Sequence, residues 1–271
     1  MDLLRNGKTP LLAAHRGVSG GNIPCNCEAA FRAAIAQGAD IVELDVALSA
    51  KGTLFVFHPG MEHPHLGTRR FLRTRSDRSI AALRFLNQDN TRTTETIMLL
   101  DDALELLKGR CIVNLDKFWS APGAIADCVR RHGMEDQVLI KTGAGAGDLK
   151  KVEAYAPDLP FLAIIRDKDT VDEDLLRRKI RFCGVEALFK TDDAPDVSDE
   201  HIAFLHKNGL CVWGNAIVYD YRAVIAADHT DDVAVTGDPD RGWGWFLDKG
   251  FDIVQTDWLL AAKTYYAGRN V

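Results

Sequence analysis

Residues 41–46 read Ile41-Val42-Glu43-Leu44-Asp45-Val46, and this stretch decides the fold. Ile41, Val42, Leu44 and Val46 predict a short strand buried on both faces. Alternation then puts Glu43 and Asp45 on one face, about 6–7 Å apart along the strand. Two carboxylates facing inward from an apolar strand are costly unless something cationic satisfies them. A hard divalent cation with oxygen ligands does so, which predicts one Mg2+ or Ca2+ held by this strand. The alternative is an ion-paired surface strand, which the apolar neighbours argue against.

Working outward, similar runs recur along the chain. Leu11–His15, Cys111–Leu115, Val138–Lys141, Phe161–Ile165, Val185–Phe189, Leu210–Trp213 and Ile253–Gln255 are short, branched or aromatic, and bounded by Gly, Pro, Asp or Asn. Helical patterns lie between them, over Cys27–Gln37, Leu99–Leu107, Ala121–Arg131 and Asp199–Lys207, each followed within two residues by a glycine. Eight strands with a helix after nearly every one predict a closed (β/α)8 TIM barrel spanning 1–271 as a single domain. The structural alternative is an open doubly wound sheet. That fold often carries a glycine-rich phosphate turn after its first strand, and residues 15–21 do not fit GxGxxG. The glycines of Gly143–Gly147 lack a GK[ST] ending and read as a strand-to-helix turn.

Two segments interrupt the alternation. Leu54–Phe57 reads as a hairpin extension of the second strand. Residues 59–96 are then polar and arginine-rich, with one helical piece at Ser79–Leu86, and are expected as an excursion over the barrel mouth. Asp228–Gly244 is expected as a lid or surface loop.

Composition narrows the function. The chain has 271 residues, a formal charge of −6, and no block of like charge long enough for a nucleic-acid footprint. Arg69–Arg78 is interrupted by Asp77 and reads as a solvated loop. Six cysteines in a chain this long do not make a disulfide scaffold. Met1–Pro10 has no apolar core of a secretory signal, and no apolar run is long enough to span a membrane. The expectation is a cytoplasmic protein without nucleic-acid partners or stable membrane insertion, acting on a small molecule. A homo-oligomer stays open.

Active sites of such barrels lie at the C-terminal ends of the strands. The first strand ends in His15-Arg16, and the third in Asn114-Leu115-Asp116-Lys117. Asp116 is a third candidate carboxylate for the metal, with helix capping as its alternative. His58 directly follows the hairpin strand. Two histidines beside a carboxylate cluster fit general acid and base catalysis. Lys117, adjacent to Asp116, should face away from it by strand alternation. Lys141 ends the fourth strand. Trp213 is either a stacking surface at the mouth or a core residue. Arg166 and Lys190 also end strands and are candidate anion contacts. His63 and His65 have the spacing of an HxH metal pair, although Pro64 between them points to a loop. Cys25 and Cys27 are either soft-metal or redox groups or small loop residues.

These residues together resemble the glycerophosphodiester phosphodiesterase family. His15-Arg16-Gly17 matches its HRG, Glu43-Leu44-Asp45-Val46 its ELDV strand, and Gly52 through His58 its histidine-bearing hairpin. Pro24-Cys25-Asn26-Cys27 loosely matches its PENT turn, with Cys25 in place of the glutamate. Gly250–Asp257 is close to its C-terminal strand. The resemblance implies His15 and His58 as the acid/base pair, Arg16 on phosphate with Lys141 as the substitute for the family's phosphate-contacting lysine of the third strand, and Glu43, Asp45 and Asp116 as ligands of one divalent cation. The implied reaction splits glycerophosphodiesters into glycerol 3-phosphate and an alcohol. A sugar phosphodiester or lysophospholipid is the alternative substrate, and a catalytically silent binding barrel the alternative role.

Overall fold

The computed structural model describes Leu4, residues 9–167, Val171 and residues 173–269, so most of Met1–Pro10 lies outside the described residues. Eight parallel strands close on themselves. They are β1 (Leu11–Ala14), β2 (Ile41–Leu48), β4 (Ile112–Asp116), β5 (Val138–Gly143), β6 (Phe161–Arg166), β7 (Phe182–Leu188), β8 (Cys211–Asn215) and β9 (Ile253–Thr256). β9 pairs with β1 and β1 with β2, which completes the ring. This is the predicted (β/α)8 barrel as a single domain. The additional β3 (Leu54–Val56) runs antiparallel to β2, with Val46 opposite Val56.

The outer layer contains α1 (Glu28–Ala36), α4 (Leu100–Leu107), α5 (Pro122–Arg131), α6 (Ala146–Tyr155), α7 (Glu173–Leu176), α8 (Asp199–Lys207), α9 (Asp231–Thr236), α10 (Trp245–Lys249) and α11 (Leu259–Arg269). Alternate residues of each strand face these helices. Val42, Leu44, Val113, Leu115 and Ile140 join Phe31, Leu104, Val129 and Val152 in one buried cluster. The other strand face fills the barrel, where Ala13, Ile41, Leu139, Leu162, Cys211, Trp213 and Ile253 form a separate cluster with Leu4.

The segment after β3 departs from the expectation of a mostly unstructured polar excursion. It forms two helices, α2 (Glu62–Leu66) and α3 (Asp77–Ala81). Pro64 is tolerated in α2 because the first turn of a helix has no use for its missing N–H. The piece expected at Ser79–Leu86 begins earlier, since Ser76 caps it by accepting from the Ser79 N–H. Leu66, Leu72, Ile80 and Phe85 pack on Phe55, Phe57, Cys27 and Ala30, so the segment has its own small core against the hairpin and α1. Asp228–Gly244 is likewise helical, comprising α9 and a π-turn at Asp240–Gly244. Trp243 and His229 are buried there, which argues against a mobile lid. Of the Gly143–Gly147 stretch, Gly143 ends β5, Ala144 and Gly145 turn the chain, and Ala146 and Gly147 begin α6.

Candidate active site

Three strand ends and one hairpin bring the sequence-predicted residues together. After β1 the backbone turns sharply, with Arg16 at φ 56° and Gly17 at φ 78°. A Cβ on Gly17 would lie 2.8 Å from the Ala30 carbonyl, so only glycine lets this turn rest on α1. The turn aims the Arg16 N–H at Glu43 Oε2, 2.9 Å away. It also brings Arg16 Nε within 2.9 Å of Asp45 Oδ2. That contact is an ion pair without hydrogen-bond alignment, since Nε has no hydrogen-bond partner.

The register of β2 on β4 sets Asp45 opposite Asp116. One oxygen each from Glu43, Asp45 and Asp116 lie within 4.8 Å of one another. The hairpin returns alongside, and the Phe57 N–H donates to the Asp45 carbonyl at 3.0 Å. His58 thereby stands with Nε2 3.9 Å from Asp45 Oδ1. The residues that could hold a cation are these three carboxylates. Their donors are all hard oxygens, and Asp45 Oδ1 is buried without a hydrogen bond, so the set suits Mg2+ or Ca2+.

Electrostatics separates the members of the cluster. Burial, reinforced by Asp45, pushes the Glu43 carboxyl up to about 7. Burial acts the same way on Asp45, but Arg16 and Lys117 outweigh it and hold the carboxylate at about 2. The histidines diverge too. Burial opposes protonation of His15, yet its hydrogen bond to Asp257 (Nδ1 to Oδ1, 2.8 Å) and the Asp257 charge prevail, and its pKa is raised. Burial lowers that of His58, and the nearby Arg16 and Lys117 cations add to the fall against Asp45. His15 favours the charged imidazole and His58 the neutral one.

Several site neighbours were not singled out from the sequence. Asp257 follows β9 and continues the inward period of Ile253 and Gln255 by one more step. Its backbone N–H donates to Asp231 Oδ2 at 2.7 Å, and Asp231 also accepts from Thr256 and Trp243. Asn26, in the left-handed region at φ 57°, braces Asp45 by donating from Nδ2 to Oδ2 at 2.9 Å. Tyr219, on the loop after β8, has its ring centroid 6.0 Å from that of His58.

Other expectations need correction. Lys117 does not face away. Strand alternation ends at Asp116, Lys117 adopts φ 63°, and its ammonium returns to Asp116 Oδ2 and to 3.3 Å from Asp45 Oδ1. Lys141 is buried inside the barrel, 3.1 Å from Glu186 Oε2 and 4.2 Å above the Trp213 ring. Trp213 is fully buried and donates to Asn215 Oδ1, which leaves no open ring face for stacking. Lys117, rather than Lys141, is therefore the lysine beside the carboxylates. Lys190 is exposed and pairs with Asp167, and Arg166 is exposed. His63 and His65 sit two apart on α2, where helical geometry separates them. His65 faces Cys25 instead (Nδ1 to Sγ, 3.7 Å), while Cys27 is buried and donates to the Pro24 carbonyl. Burial drives the Cys25 thiol up to about 11 and the His65 imidazole down to about 4, so the two stay neutral rather than forming a reactive thiolate pair. All six cysteines are free.

This architecture is a closed (β/α)8 barrel with a carboxylate–histidine cluster at the C-terminal strand ends, and the barrel is shared with solved glycerophosphodiester phosphodiesterases. A glycerophosphoryl diester phosphodiesterase of Parabacteroides distasonis superimposes with a TM-score of 0.78 at 17% identity, covering 99% of this chain and 91% of that one. An Agrobacterium tumefaciens glycerophosphodiester phosphodiesterase gives 0.67 at 21% identity, over 94% and 100% of the chains. An Oleispira antarctica phosphodiesterase, solved with its product sn-glycerol-3-phosphate, gives 0.71 at 18% identity, over 96% and 97%. At these identities the likeness is one of fold. In sequence, the chain is similar to the Bacillus subtilis uncharacterized protein YqiK, 28% identical over 137 residues. That match spans 48% of this chain and 56% of YqiK. The family model DUF4996, described as a domain of unknown function, matches residues 161–266, from β6 into α11. No helix among the described residues is long and apolar enough to cross a membrane.

Proposed function

We propose that this protein is a metal-dependent phosphodiesterase that hydrolyses glycerophosphodiesters to glycerol 3-phosphate and an alcohol. The observation that carries the reading is the convergence of Arg16 and His58 on the Glu43–Asp45–Asp116 cluster, with His15 near enough to Glu43 to feel its charge. The likeness to barrels of that activity supports it. Glu43, Asp45 and Asp116 would hold the cation, which supplies charge neutralisation at the phosphoryl group.

The chain's own residues account for the rest of the chemistry. Arg16 orients the phosphodiester and offsets its negative charge. His58, whose lowered pKa favours the neutral imidazole, takes a proton from the attacking water as the new P–O bond forms. His15, charged through Asp257, gives its proton to the alkoxide released as the old P–O bond breaks. Free thiols are compatible with a reducing cytoplasm, which belongs to the same proposal.

The direct test is a panel of glycerophosphodiesters, sugar phosphodiesters and lysophospholipids incubated with pure protein, reading the released phosphomonoester. Turnover of glycerophosphodiesters is expected. Turnover confined to another class would replace the substrate assignment, and none at all would remove the enzymatic one. Chelation should abolish turnover, and Mg2+ or Ca2+ should restore it. Activity unaffected by EDTA would exclude the cation's role.

The pH profile offers a separate check. Asp257 raises the His15 pKa, and His15 acts in its protonated form, so activity is lost as pH climbs through that pKa. Asp257→Asn removes the charge and lowers the pKa. The alkaline limb of kcat/KM should then move to lower pH. An unmoved limb would show that Asp257 does not tune the acid.

A further inference from the structure

A second group of metal-ligating side chains lies outside the barrel, between α4 and α5. Asp101 is in the first turn of α4. Cys128 lies in α5, and His132 caps its C-terminus one helical turn later. Residues four apart share a helix face, so the thiol and the imidazole point together at α4. One ligand atom each from Asp101, Cys128 and His132 lie within 4.8 Å of one another. His132 Nε2 is 3.1 Å from Asp101 Oδ1, and its Nδ1 is 3.6 Å from Glu105 Oε2, one turn further along α4.

We propose that Asp101, Cys128 and His132 form a metal site for a borderline divalent cation of the Zn2+ type. The donor set is sulfur, nitrogen and oxygen, which suits Zn2+ and contrasts with the all-oxygen cluster in the barrel. Glu105 occupies the position of the carboxylate that commonly stands behind a ligating histidine, fixing its ring so that Nε2 faces the metal. Access is from the Asp101 side, whose side chain is 45% exposed, whereas Cys128 is fully buried. Binding displaces Arg131 from Asp101, to which it now donates at 2.8 Å, and releases the thiol proton. The bound cation would clasp two helices that already share a buried apolar cluster through Leu104 and Val129.

Titration of the full chain with Co2+, a spectroscopic stand-in for Zn2+, tests the proposal. A thiolate-to-cobalt charge-transfer band that saturates with added Co2+ is expected, at one equivalent in the Asp45→Asn background. It should vanish in Cys128→Ser and weaken in His132→Ala. It should persist in Cys25→Ser, which removes the thiol nearest the barrel site, and in Asp45→Asn, which disables that site. In the Asp45→Asn background, where the barrel site is disabled, Zn2+ should raise the Tm of the protein that keeps Cys128 but not that of the protein that also carries Cys128→Ser, and Cys128→Ser alone should leave phosphodiester turnover unchanged. If Cys128→Ser does not fold, Asp101→Asn should give the same loss of the Zn2+ effect on Tm from an exposed position. No band in the wild type, or one that survives in Cys128→Ser or disappears in Cys25→Ser, overturns the site.

Discussion

His15→Ala is expected to lower kcat for glycerophosphodiester hydrolysis by about 10²–10⁴-fold, and His58→Ala by a similar factor. The two variants should differ in their response to the leaving group. His15 protonates the departing alkoxide, so its loss is felt least with an acidic leaving group such as a nitrophenol. His58 acts on the nucleophile, so its loss persists with either substrate. Both histidines lie at the rim of the barrel, so the unfolding midpoint should stay close to that of the wild type. An unfolded variant would be uninformative, and circular dichroism would identify it. A folded His15→Ala protein with near-normal turnover of a natural substrate would falsify the acid assignment.

A second large effect is expected on stability, at Glu186. This carboxylate is buried in the barrel, 3.1 Å from the Lys141 ammonium, and accepts from Asn215 Nδ2 at 2.7 Å. Glu186→Ala leaves the buried lysine without its carboxylate partner, with the Trp213 ring beside it. The expected cost is about 3–5 kcal/mol, because an uncompensated buried charge remains. Replacing both partners, as in Lys141→Met with Glu186→Leu, removes both the charge and the need for its partner. The double variant should recover most of the loss. Urea unfolding of the two proteins measures the difference. A single variant within about 0.5 kcal/mol of wild type, the usual range for surface changes, would mean that water already reaches the pair.

The barrel was legible because each strand is a short branched run bounded by turn residues, and a parallel strand covered on both faces cannot hide that pattern. Glu43 and Asp45 were legible for the complementary reason, as charged residues in a strand that otherwise has no polar face. Lys117 was misread because alternation was carried one residue past the strand, where a left-handed backbone reverses the direction of the side chain. Asp257 was overlooked although it continues a visible period of two, since its role depends on His15, 242 positions away. Trp213 is equally readable as core or mouth from the sequence, and its complete burial beneath Lys141 decides between them. The segment after β3 reads as polar because its few apolar residues are widely spaced. They meet only once the hairpin and α1 supply the other half of their core.

The filled interior has a consequence for traffic. Leu4, Ala13, Ile41, Leu139, Leu162, Cys211, Trp213 and Ile253 stop the barrel below the carboxylates, and Lys141 and Glu186 lie above Trp213. The molecule is a cup, not a tube. Whatever enters to react must back out through the same doorway, so departure of the first fragment and arrival of the next reactant compete for one passage.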